Sequence, residues 1–172
     1  GLLSEALGRT PLGHLVFNAQ APDAGNVEIL HRFGTLEQRE RFLRPLVEAA
    51  GEVCGVKYDP ASDSGRRLRR IADHVRAATF LIADGVRPGN EGRGYVLRRI
   101  IRRAVRHARL LGITRPFLGS IAREVVAIMG ASYPYLRDAE SAIIEGIERE
   151  EAQFARTLDA GSSLLGDALA EL

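Results

Sequence analysis

Apolar positions recur at helical intervals over most of this chain. Between residues 66 and 84, Leu68, Ile71, Ala72, Val75, Ala78, Thr79 and Ile82 fall on one side of a helix, which the pattern ends at Asp84-Gly85. A second helix, from about Gly94 to Leu111, carries the same rule through Leu97, Ile100, Ile101, Ala104, Val105 and Ala108, with Gly112 placed to cap it. Leu118, Ile121, Val125 and Ile128 predict a third over 116–130. A long acidic amphipathic helix follows over 136–172 through Ile143, Ile147 and Phe154, with Gly161 as a candidate break. Upstream, Thr35 with Gln38 three residues on is a capping box ahead of a partial stripe of Leu36, Phe42, Leu43 and Leu46. Pro45 lies inside that stripe and should kink or restart the helix. Residues 23–33 offer Asp23 or Asn26 as a cap for Val27, Leu30 and Phe33. The breaks are 55–65, rich in Gly, Ser, Asp and Pro, and "GVRPGNEGRG" at 85–94, whose glycines let backbone approach a partner closely. No strand of useful length is visible. The expected fold is all-α, a helical bundle with an N-terminal helical appendage.

Charge changes this picture because it is segregated. Lys and Arg number 6 against 9 Asp and Glu over residues 1–64, 15 against 3 over 65–123, and 3 against 10 over 124–172. A net charge of +2 therefore conceals balances of −3, +12 and −7. Six arginines (98, 99, 102, 103, 106 and 109) lie in the second helix, and no acid occurs between Glu91 and Glu124. Such clustering marks a polyanion-binding face, since guanidinium forks grip phosphate oxygens with paired hydrogen bonds at every working pH. The alternative is internal: the acidic C-terminal segment could neutralise the basic one.

Other chemistry finds little support. His14, His31, His74 and His107 are scattered and Cys54 is the lone cysteine, so no metal site and no internal disulfide are expected. His74 reads as a structural core histidine, and His107 as a solvated residue that could touch a phosphate. The acids between Glu145 and Glu151 read as the outer face of a helix. "RPGNEGRG" lacks both phosphate-loop fingerprints, so no nucleotide and no cofactor is expected in this chain. No apolar run approaches the ~20 residues of a membrane helix and no leader pattern is present, which fits a cytoplasmic protein.

The stretch "LRRIADHVRAATFLIADGVRPGNEGRGYVLRRIIRRAVRHARLLG", 68–112, closely resembles the tRNA-recognition region that follows the catalytic core of alanyl-tRNA synthetases. Upstream "FLRPLVEAAGEVCGVKY" and downstream "REEAQFARTLDAGSSLL" extend the likeness over roughly residues 43–172. The resemblance implies helices that read the acceptor stem of alanine tRNA, marked by a G·U wobble pair. Asn90 corresponds to the asparagine of the family's Pro-Ser-Asn-Glu-Gly-Arg-Gly-Tyr turn, with Gly89 in place of the serine. Residues 1–46 instead resemble the N-terminal helical domain of acyl-CoA dehydrogenases, through "NAQAPDAGNVEIL" and "FGTLEQRERFL". The two patterns share "LRPL" at 43–46. They imply a chimera arising by gene fusion, design or faulty assembly of reads, with domains at 1–46 and 47–172.

The expectation is a tRNA-binding fragment of an alanine–tRNA ligase. Arg98, Arg99, Arg102, Arg103 and Arg106 would hold phosphates, and Asn90 and Arg93 would lie nearest the marked base pair. No catalytic residue is assigned and no activity is expected of the chain alone, because the family's ATP-binding motifs, editing domain and stem-reading aspartate are not in it. An acyl-CoA dehydrogenase fragment and a helical interaction module without nucleic acid are the alternatives.

Overall fold

The computed structural model describes residues 31–40 and 44–170. Within them the chain is helical with no strand, as the periodicity predicts. The elements are α1 (Leu36–Gln38), α2 (Arg44–Cys54), α3 (Asp63–Ala83), α4 (Gly92–Arg109), α5 (Leu118–Met129), α6 (Tyr135–Asp138) and α7 (Glu140–Ala170). The expected Asp23 or Asn26 cap, and Phe42 and Leu43, lie outside the described residues.

The centre of the bundle is α3, which touches α2, α4, α5, α6 and α7. Ser62 caps it by accepting the Gly65 N–H, so the helix starts three residues before the predicted one and shortens the loop ahead of it. All seven predicted inward positions are buried, Leu68, Ile71, Ala72 and Thr79 completely. The Thr79 hydroxyl donates to the Val75 carbonyl, the bond that lets a polar residue sit there. Each large side chain so buried contributes on the order of 1.5–3 kcal/mol relative to exposure.

Gly85 ends α3 with φ +85°, and Gly112 follows α4 with the same angle. In each case the next residue's N–H reaches back to a carbonyl of the last turn, Val86 to Leu81 and Ile113 to Ala108. Both helix ends thus use a left-handed residue that a side chain would strain. The turn between them folds α4 back antiparallel on α3.

Upstream, the capping box at Thr35 and Gln38 forms with both reciprocal bonds. It opens a helical stretch at Leu36 that continues as π-helix through Arg39 and Glu40, and Leu36 itself is 76% exposed. From Arg44 to Cys54 the described chain is helical, with Pro45 the second residue of that stretch. Leu46 and Val47, on either side of the expected 46/47 boundary, are both fully buried in α2. Gly161 does not break α7, which runs unbroken to Ala170, but residues 159–170 are all exposed. Leu164, Leu165 and Leu169 are 61–70% exposed there.

Two buried acids tie α7 to its neighbours. Glu151, 4% exposed, accepts the backbone N–H groups of Phe117 and Leu118 at 3.0–3.4 Å and so closes the start of α5, where no side chain of the cap does so. Burial pushes its carboxyl above the usual range, and the two N–H bonds only partly offset this. Glu150 turns the other way, toward α4.

Candidate nucleic-acid interface

The six apolar positions of α4 are all buried, which fixes where its arginines point. At 100° per residue, Tyr95, Arg99, Arg106 and Leu110 fall within about 60° of one another on the opposite side. All four are exposed, and Arg99 and Arg106 have no hydrogen-bond or ion-pair partner among the described residues. This ridge is the open part of the basic helix.

The flanks are committed. On the α7 side, Arg102 donates through Nε to Glu150 Oε1 at 2.6 Å and its guanidinium lies 5.0 Å from the centre of the Phe154 ring. Arg109 meets Asp159 at 3.3 Å. The internal neutralisation that segregated charge allows is therefore real but partial, and it takes Arg102, one of the expected phosphate ligands, into a half-buried pair.

On the α3 side, Arg67 and Arg70 of α3 and Arg103 of α4 lie close enough to His107 to act on it. His107 is half-buried rather than solvated, and its Nδ1 has no partner. Desolvation, then Arg70, His74, Arg67 and Arg103, lower its pKa to about 4. His74 is buried as expected, with Nδ1 3.6 Å from Asp73 and Nε2 unpartnered. Since the folded state keeps His107 neutral while the unfolded chain protonates near 6.5, its contribution to stability is full above pH 6.5 and is lost as pH falls toward 4. Glu151, shifted upward, acts in the opposite sense. Thermal melts across pH 4 to 6.5 should therefore lose their acid-side decline in His107→Gln, and an unchanged slope would remove His107 from the account.

The 85–94 turn stands before α4. The Gly89 N–H donates to the Gly94 carbonyl at 3.1 Å, and a Cβ on Gly94 would lie 2.5 Å from the Arg87 carbonyl oxygen, so only glycine lets the turn close. Asn90 is exposed at its tip and Arg93 is exposed in the first turn of α4. Arg98, expected to hold a phosphate, instead donates through Nη1 to Asn90 Oδ1. A guanidinium can only donate, so it fixes the amide with its oxygen inward. Asn90 Nδ2 is left as an outward donor without a partner among the described residues. Glu91 makes no side-chain cap, which leaves the first N–H groups of α4 beside Arg93.

The seven expected residues thus divide into a turn tip (Asn90, Arg98 and nearby Arg93), an open ridge (Arg99 and Arg106), the flank toward α3 (Arg103) and an inward tie (Arg102). Sequence reading missed Arg70, an exposed arginine that α3 brings near His107, and Tyr95, which interrupts the arginine ridge with an exposed ring. The signal for Tyr95 was its spacing of four from Arg99.

Other features do less. A cavity of about 720 Å³ lies between α2, the segment around Leu36 and Arg39, and the loop at Gly55–Pro60. Cys54 is buried with its thiol raised to about 11 by desolvation, so it is a poor nucleophile. Among the described residues there is no cluster of metal-ligating side chains, and no helix long and apolar enough to cross a membrane.

The alanine–tRNA ligase of Anaeromyxobacter dehalogenans is 46% identical over 142 residues, 79% of this chain and 16% of that protein. Those of Sphingopyxis alaskensis (51% over 129 residues) and Synechococcus elongatus (50% over 127) each align with about three quarters of this chain. The chain spans 14–16% of the length of these relatives. The family profile of the tRNA synthetases class II (A) matches residues 27–172, beginning inside the stretch expected to be dehydrogenase-like, and the chain belongs to that family.

Proposed function

We propose that this chain is the tRNA-recognition part of an alanine–tRNA ligase, that it holds the acceptor stem of alanine tRNA in translation, and that it needs no cofactor of its own. The observation that carries the reading is the continuity of the Asn90 tip with the Arg99 and Arg106 ridge, one donor for a base edge beside a row of charges for phosphates. A-form RNA offers a wide, shallow minor groove, which a tip of this kind can enter. Arg93, Arg99, Arg103 and Arg106 hold the backbone, and Arg98 aims Asn90. Catalysis belongs to parts of the synthetase outside this chain, and the cytoplasm is the compartment proposed.

Asn90→Ala should reduce the preference for a G·U-marked stem over a G·C stem by about fivefold to a hundredfold, by analogy with one to three kcal/mol per base contact in DNA. Arg98→Ala should do the same, because the amide loses its orientation. Asn90→Asp should keep the Arg98 contact and still lose the preference, having no donor to present. Equal losses on both stems for Asn90→Ala, with helicity intact, would make Asn90 a turn residue and end this reading of it.

We further propose that residues 1–46 carry acyl-CoA-dehydrogenase-like sequence joined to the synthetase region. "NAQAPDAGNVEIL" supports it. The join would lie at the shared "LRPL", residues 43–46, although the family match already begins at residue 27. Reading the gene across this interval in an independent isolate tests the proposal, and a continuous synthetase sequence there would remove it.

A further inference from the structure

Three aromatic rings meet at the end of the bundle where α3 hands over to the Asn90 turn. Phe80, in the last turn of α3 and half-buried against the core, makes edge contacts with Tyr133 at 5.1 Å and Tyr135 at 6.5 Å between centroids. The two tyrosines close the triangle edge to face at 6.4 Å. Phe80 thus holds both rings at fixed angles, yet Tyr133 is 42% and Tyr135 40% exposed. Exposed rings already packed edge-on against a half-buried neighbour lose less entropy when something stacks on them than rings with no such contact.

The location says what that is. Asp84 lies beside Tyr135, whose phenol is raised first by the packing around it and then by Asp84 and Tyr133. From Asp84 to Asn90 is six residues, a reach of at most about 20 Å. Arg87 is exposed in the intervening turn, Arg93 in the first turn of α4 just after it, and Arg137 in α6, two residues after Tyr135, its side chain lying along Gly130. The patch therefore joins flat apolar faces to guanidinium groups, the pairing that single-stranded RNA requires: a ring for an unstacked base and cations for the phosphates on either side. The bases of a continuous duplex are stacked on one another and cannot use it.

We propose that Tyr133 and Tyr135, braced by Phe80, form a stacking platform for an unpaired nucleotide adjoining the stem that the Asn90 turn reads. The proposal rests on the stem-binding function above. It adds a second class of ligand, single-stranded RNA, at a separate surface.

The test uses the 172-residue chain and two RNA hairpins with the same stem, one blunt and one with unpaired nucleotides at its end. Stacking of one base on an aromatic ring corresponds to about fivefold to a hundredfold in affinity. The wild-type chain should prefer the overhanging hairpin by a factor in that range. Tyr133→Leu/Tyr135→Leu should bind both hairpins like the wild type binds the blunt one, while Tyr133→Phe/Tyr135→Phe should keep the preference. The chain has no tryptophan and four tyrosines, so quenching of tyrosine emission by the overhang, absent in the leucine variant, is an independent readout. Blunt-stem binding with no gain from the overhang would overturn the platform alone. A gain that survives the leucine substitutions would also overturn it, and failure to bind either hairpin would overturn the platform together with the stem-binding function.

Discussion

Arg99→Glu/Arg106→Glu should abolish most of the RNA affinity of this chain at low salt and flatten its salt dependence, while leaving the fold intact. Both side chains stand on the exposed ridge of α4 without partners, so reversing their charge breaks no contact within the described residues. What they supply is counterion release. A protein contacting about five phosphates should lose roughly 10²–10³ in affinity between 50 and 200 mM salt, and each contact removed should shrink the slope by about one. The double variant should therefore show a slope smaller by about two and an affinity at low salt lower by two orders of magnitude or more. Arg102→Ala is the contrasting case. Its guanidinium is spent on Glu150 and Phe154, so its loss should lower the melting temperature more than the affinity. A large affinity loss at Arg102 with no effect at Arg99 and Arg106 would reverse the assignment of the two faces.

Glu151→Ala should destabilise the bundle by about 2–4 kcal/mol, because it strands two buried backbone donors, and each unsatisfied group costs on the order of 1–3 kcal/mol. The N–H groups of Phe117 and Leu118 have no other partner near, and the carboxylate reaches them from 33 and 34 residues away. Glu151→Gln keeps one acceptor oxygen and sheds the cost of burying a charge, so it should be nearly neutral and should remove the part of the pH dependence that runs opposite to His107. Chemical denaturation of the three proteins decides the matter. An alanine variant as stable as the wild type would mean that water satisfies those donors.

The apolar half of the fold was legible because burial leaves a periodic trace. Every inward position predicted in α3 and α4 is buried, since an i, i+3, i+4 pattern of Leu, Ile, Val and Ala has no other way to leave water. The glycine stops at Gly85 and Gly112 were legible for a similarly local reason. The division of the arginine helix was not. Arg99 and Arg102 are chemically alike and three residues apart, and which of them is spent internally depends on Glu150, 48 residues from Arg102. The contact of Arg98 with Asn90 was hidden on the same ground: it is set by the closure of a glycine turn, which composition announces but does not shape. His107 looked solvated because its own helix offers it only arginines; α3 covers it. Charge counts give a region its sign, and tertiary packing decides which members of that region reach solvent.

The last dozen residues of α7 keep their helical form while exposed, with no neighbour among the described residues to shelter them. An isolated helix of that length is marginal in water, and here its tether is the exposed end of the Arg109–Asp159 pair. Amide protons should accordingly exchange slowly through Ile147 and Glu151 and progressively faster beyond Asp159. Helicity followed by circular dichroism would then start to fall before any probe in the core responds, so a single midpoint read from that signal will understate the stability of the bundle proper.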